Sequence, residues 1–93
     1  MDKLELAKSH FLKGLEHFGA GDLEAAEAKF RDALKLAPNR VSILTNLSIT
    51  LVQRNQPAEA AALAQRAVAS DSQAFEAWMI LGICRHQQSD YVK

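Results

Sequence analysis

A single cysteine, Cys84, stands among 93 residues, which excludes an internal disulfide and leaves an oxidising compartment without support. Charge of one sign is missing too: Lys and Arg number 11, as do Asp and Glu, so no global field draws the chain to nucleic acid or anionic lipid. A protein that grips a phosphate backbone carries a basic surplus, and none exists here. No apolar run approaches the roughly 18 residues that span a bilayer. The N-terminus, MDKLELAKSHF, bears charges where a secretory signal has its apolar core. β-Branched residues never alternate over a strand's length, so strands are not expected, and no glycine-rich phosphate loop occurs. An apolar share of 48% is too high for a disordered tail. The length allows one domain, burying about 60–65% of its unfolded surface. A cytoplasmic protein is expected, without nucleic-acid or membrane partners.

What the chain does have is a repeat. GDLEAAEAKFRDALKLAPNR, Gly21 to Arg40, is echoed 34 residues later by NQPAEAAALAQRAVASDSQA, Asn55 to Ala74. Ala26 aligns with Ala60, Ala33 with Ala67, and Leu23 with Pro57 and Tyr91. Gly14, Ser48 and Gly82 form a column of small residues; Leu44 aligns with Trp78, Leu47 with Leu81, and Gly21 with Asn55 and Ser89. An interval sustained over so many positions marks a repeat architecture.

Each unit reads as two helices. Leu4, Phe11, Leu15 and Phe18 recur at a helical period. Gly21-Asp22 then stops one helix and starts the next: glycine tolerates the left-handed conformation at a helix end, and Asp22 can cap the following turn. Ala26, Phe30, Ala33 and Leu34 share a face of the second helix, which Pro38 closes. In the next unit Asn55 replaces Gly21 as the residue next most tolerant of that conformation, and Pro57 suits a first helical turn. Ser89-Asp90-Tyr91 is expected to repeat this punctuation. Helices are expected near 3–20, 22–37, 40–54, 57–70 and 73–88. The small residues Gly14, Ser48, Gly82, Ala26 and Ala60 let paired helices approach closely, with Phe30, Leu47, Leu51, Trp78 and Leu81 filling the space around them. Trp78, Leu81, Gly82 and Cys84 are expected on a face that receives a further helix. The chain is therefore expected to be a fragment of a longer protein and to form a homodimer through its C-terminal helix.

The 34-residue period, Trp78–Leu81–Gly82, Gly21-Asp22, Ala26, Phe30, Ala33 and Pro38 together resemble the tetratricopeptide repeat. The resemblance spans a single domain, 1–93, with full repeats at 7–40 and 41–74 and a partial one at 75–93. It departs at His10, Lys13, His17 and Arg85, where the family prefers Trp, Leu, Tyr and Tyr. It implies an all-α fold, antiparallel helix-turn-helix repeats stacked as a short right-handed α-solenoid. It also implies a non-catalytic scaffold that binds a partner peptide or helix on a concave surface lined by the first helix of each repeat. That surface would comprise Phe11, Leu15 and Phe18, then Ser42, Thr45, Ile49, Val52 and Gln53, then Glu76, Met79, Ile83, His86 and Gln87. The competing reading makes Phe11, Leu15 and Phe18 core residues of a rotated first helix; Gly14, in register with Ser48 and Gly82, argues against it. Some family members clamp the C-terminal carboxylates of heat-shock chaperones with Lys, Asn and Arg. Here those places hold Phe11, Leu15, Asn46, Glu76 and Ile80, which does not make a carboxylate clamp. Repeats with His at the place of His17 also look similar to those preceding bacterial glycosyltransferase or methyltransferase domains. The alternative is thus a substrate-positioning or oligomerisation module of a larger enzyme.

No active site is legible. His10 and His17 share a helix face, but no third ligand has zinc spacing, so neither metal nor cofactor is expected. Cys84 and His86, two apart on a helix, point in different directions and do not form a nucleophile–base pair. Cys84 is expected to be a buried thiol.

Overall fold

A computed structural model describes the backbone of residues 2–91 and the side chains of residues 2–88. Five helices follow one another: α1 (Lys3–Gly19), α2 (Leu23–Leu36), α3 (Val41–Gln53), α4 (Pro57–Ser70) and α5 (Phe75–Tyr91). No strand occurs among the described residues. Each helix packs against the next in sequence, and α3 also packs against α5. The short connections make successive helices antiparallel hairpins, and the result is a slab 49 Å long and 17 Å thick.

The turns obey local chemistry. Gly21 sits at φ +81°; behind it the Asp22 amide donates to the His17 carbonyl at 2.9 Å and the Gly21 amide to Phe18 at 3.0 Å. This is the paired bond pattern that closes a helix around a left-handed residue. Asn55, at φ 63°, reproduces it, with Gln56 donating to Leu51 at 2.9 Å and Asn55 to Val52 at 3.0 Å. Asp22 accepts from the Ala25 amide at 3.1 Å, capping α2, and Asp2 does the same for α1 through Glu5 at 2.8 Å. Pro57 opens α4, where its missing N–H leaves no bond unmade.

Two sequence expectations need correction. The punctuation placed at Ser89 is absent: α5 starts at Phe75 rather than 73 and runs through Ser89 and Asp90 to Tyr91. Serine at this position lacks the tolerance of positive φ that lets Gly21 and Asn55 end a helix. Nor do Trp78, Leu81, Gly82 and Cys84 share one face. Leu81 and Cys84 are buried, with Ala77 and Ile80, whereas Trp78 is 49% exposed and Gly82 lies at the surface. The Trp78 indole N–H donates to the Ser72 carbonyl at 2.9 Å, holding the ring beside the turn rather than in the core.

The core is a ribbon through the hairpins. Phe30, Leu44, Leu47 and Leu51 are fully buried, together with the alanines Ala26, Ala60, Ala64 and Ala67. The last three recur along one side of α4, and methyl-sized side chains there bring the α4 backbone close to its neighbours. Ser48 sits in the same small-residue column because its hydroxyl donates to the Leu44 carbonyl of its own helix at 2.8 Å, so burial leaves no donor unsatisfied. Gly14 shows the tightest constraint. A Cβ placed there would lie 2.5 Å from Cε1 of Phe30, a ring with no solvent exposure. Gly82, its equivalent in the third unit, would meet nothing within 4 Å.

These two glycines yield opposite expectations. Gly14→Ala should lose about 1–3 kcal/mol to overpacking against Phe30, offset in part by the better helix propensity of alanine. Gly82→Ala should gain about 0.5–1 kcal/mol from propensity alone. Urea denaturation of both variants checks the pair; equal shifts in midpoint would contradict the Phe30 contact.

Candidate partner-binding groove

The helices that begin successive units, α1, α3 and α5, carry the expected binding residues. Their placement is graded. Gln53 and His86 are exposed, while Phe11, Phe18, Ile49 and Val52 are half-buried. Met79 is 60% exposed, Ile83 42% and Leu15 38%, whereas Thr45 is buried at 6%. Phe11, Phe18, Ile49 and Val52 each pack one flank onto the core cluster. The Phe11 ring lies 5.7 Å from that of Phe30 in a tilted pair, so part of its surface belongs to the interior.

The face is not smooth. Between α1 and the start of α3 a cleft of about 190 Å³ has Leu4, Ala7, Phe11 and Ile43 as its apolar wall, with Lys8, Arg40 and Ser42 at its edge. Between the starts of α3 and α5 a hollow of about 360 Å³ is bounded by Val41, Thr45 and Asn46 on one side and by Asp71, Phe75 and Glu76 on the other. Ser42 borders both. Sequence reasoning had not included Leu4, Lys8, Arg40 or Asp71. One signal was available for Lys8: it stands 34 residues before Ser42, as Ser42 does before Glu76. Arg40 and Asp71 lie in connections between units, where no periodicity identifies a surface.

Asn46, the one residue matching the carboxylate clamp, donates its side-chain amide to the Ser42 carbonyl at 2.8 Å, and Ile80, at another clamp position, is 2% exposed. Charges on α2, at the end of α3 and on α4 pair with one another. Glu27 accepts from Arg31 at 2.9 Å and from Arg54 at 2.8 Å, and Arg31 also meets Glu59 at 2.9 Å. Hydrogen bonding to Glu59 raises the Arg31 pKa, against the opposing effect of partial burial, and Glu27 adds to the rise. Arg66 donates to the Pro38 carbonyl at 2.7 Å.

The candidate ligands and nucleophile lie apart among the described residues. His10 and His17 are half-buried, and no group of three His, Cys, Asp or Glu among the described residues could hold a metal ion. Cys84 has no solvent exposure, and burial pushes its thiol pKa up, which disfavours the nucleophilic thiolate. Among the described residues no helix is long and apolar enough to cross a membrane.

Paired helices repeated at a fixed interval define a helical-repeat scaffold. The family model for the tetratricopeptide repeat matches residues 17–84, most of the chain, and the protein belongs to that family. A solved structure described as the Arabidopsis OM64 TPR domain superposes with a TM-score of 0.92, covering 97% of this chain and 74% of that one. The two sequences are 17% identical, so the likeness concerns the fold. No curated protein matches the sequence. Domains of this kind generally serve protein–protein interaction and carry no chemistry of their own.

The buried thiol has a measurable consequence. In the native protein Cys84 should react with a disulfide reagent at least about a hundredfold more slowly than in urea, because access requires opening of the α4–α5 contact. Labelling at the unfolded rate without denaturant would show that α5 is not seated.

Proposed function

We propose that the face formed by α1, α3 and α5 binds a segment of a partner protein. The observation that carries this reading is the apolar strip crossing all three helices: Leu15 on α1, the outer flanks of Ile49 and Val52 on α3, and Met79 and Ile83 on α5, with Met79 60% exposed. Exposed apolar surface in register over consecutive helices favours a peptide or helix laid across them. Gln53 and His86 supply a polar margin, and Phe11, Phe18 and Thr45 support the strip from below. A protein ligand of this kind needs no cofactor.

A second reading, self-association, is favoured by α5. Phe75 is 81% exposed and Trp78 49%, beside a Gly82 whose equivalent on α1 is covered by an aromatic ring. An antiparallel pair of α5 helices from two copies would seat each Trp78 over the partner's Gly82, repeating the Phe30–Gly14 contact between chains. The area is small, so the dimer would be weak.

Two measurements test these readings. Met79→Asp and Ile49→Asp should each abolish capture of the partner while leaving the helical circular dichroism signal in place; unaltered capture by both would sink the groove. Met79 is the cleaner probe, since Ile49 also touches the core. Sedimentation equilibrium over about a hundredfold concentration range should show the mass rising above 10.2 kDa, with Trp78→Ala held at the monomer. A constant monomer mass for the unsubstituted chain would exclude the α5 pair.

A further inference from the structure

We infer that the groove is polarised by charge, and that its occupant is an extended segment carrying a bulky apolar residue beside a carboxylate, with a cation two or three residues away. The inference rests on the groove reading and specifies the chemistry of its ligand. Lys8, Ser42 and Glu76 fall at one position of the 34-residue unit, so α1, α3 and α5 present in turn a cation, a hydroxyl and a carboxylate. The connections reinforce the gradient: Arg40 joins Lys8 at the α1–α3 cleft, and Asp71 joins Glu76 at the α3–α5 hollow.

Of the three cations that border the hollow beside Leu34 and Pro38, Lys35 forms no salt bridge among the described residues and the other two are engaged. Arg31 is engaged by Glu27 and Glu59, and Arg66 is turned onto the Pro38 carbonyl. Lys8 and Arg40 form no salt bridge among the described residues, and no carboxylate borders their cleft. Two unneutralised cations at the rim of an apolar cavity of about 190 Å³ suit one leucine- or methionine-sized side chain with an acid next to it. The other end has the opposite sign. Asp71 accepts from the Gln73 amide at 3.0 Å, which leaves its second oxygen for a cation. Because Ser42 borders both cavities, they are neighbours, separated by about one helix spacing of 8–10 Å. An extended chain covers that distance in two to three residues at roughly 3.3 Å each. Complementary charge at both ends then fixes which way the segment lies.

The test uses two peptides of identical composition, acetyl-Asp-Leu-Ala-Lys-amide and acetyl-Lys-Leu-Ala-Asp-amide, titrated into the isotope-labelled chain by NMR. The first places its acid beside the leucine; the second places its cation there, and running it backwards does not repair the mismatch. The first should shift the amides of Lys8, Phe11, Ser42, Ile43 and Glu76 and bind roughly fivefold or more tightly than the second, as expected for a few exposed charge pairs. The preference should fade as salt is raised, and the double substitution Lys8→Glu with Arg40→Glu should remove it. Equal affinities for the two peptides, or no shift with either, would overturn the inference. Shifts confined to Ile49, Met79 and Ile83 without peptide preference would also overturn it, while leaving the groove itself standing.

Discussion

Close approach of helices is the constraint on which the rest of this molecule depends. The Phe30 ring packs against Gly14 because no Cβ intervenes, and that contact joins α1 to α2. The alanines of α4 and the self-satisfied hydroxyl of Ser48 do the same for the second hairpin. A hairpin of two short helices cannot by itself bury enough apolar surface to offset the entropy of ordering its chain. Only when small residues bring hairpins together do Phe30, Leu44, Leu47 and Leu51 lose all contact with water. The spacing of α1, α3 and α5, and hence the proposed groove, is a consequence of that stacking.

Charge is handled in two ways in this molecule. Glu27 bridges Arg31 and Arg54, tying α2 to the end of α3, while Arg31 reaches α4 through Glu59. These partly exposed pairs add little stability individually. Lys8, Arg40, Asp71 and Glu76 form no salt bridge among the described residues. On the proposed reading a chain with no net charge can still discriminate between ligands, because discrimination depends on how charges are arranged and not on their sum.

α5 is used on two sides. One side inserts Ala77, Ile80, Leu81 and Cys84 into the core; the other leaves Phe75, Trp78, Met79 and Ile83 in water. Met79 and Ile83 belong to the proposed groove, whereas Phe75 and Trp78 are the exposed residues of the proposed α5 pair. In α1 the polarity of roles is reversed, since Gly14 and Ala7 are its fully buried residues and Phe11 is shared between cleft and core.

Much of this was legible in the sequence for a local reason. The left-handed turns at Gly21 and Asn55, the cap at Asp22, the opening of α4 at Pro57 and the column of small residues are decided within a few residues or by the 34-residue period, and such signals need no knowledge of neighbours. The end of α5 was misjudged on the same logic, because Ser89 resembles a turn residue by alignment but lacks its backbone tolerance. What the tertiary structure alone decided is where surfaces meet. Periodicity placed Trp78, Leu81, Gly82 and Cys84 together, yet they divide between core and solvent once α4 takes one side of α5. The cleft joins Lys8 on α1 to Arg40 in a later connection, and the hollow joins Asp71 to Asn46. Contacts between residues so far apart in the chain depend on how the hairpins stack, and stacking is set by summed packing over the whole core rather than by any stretch of sequence.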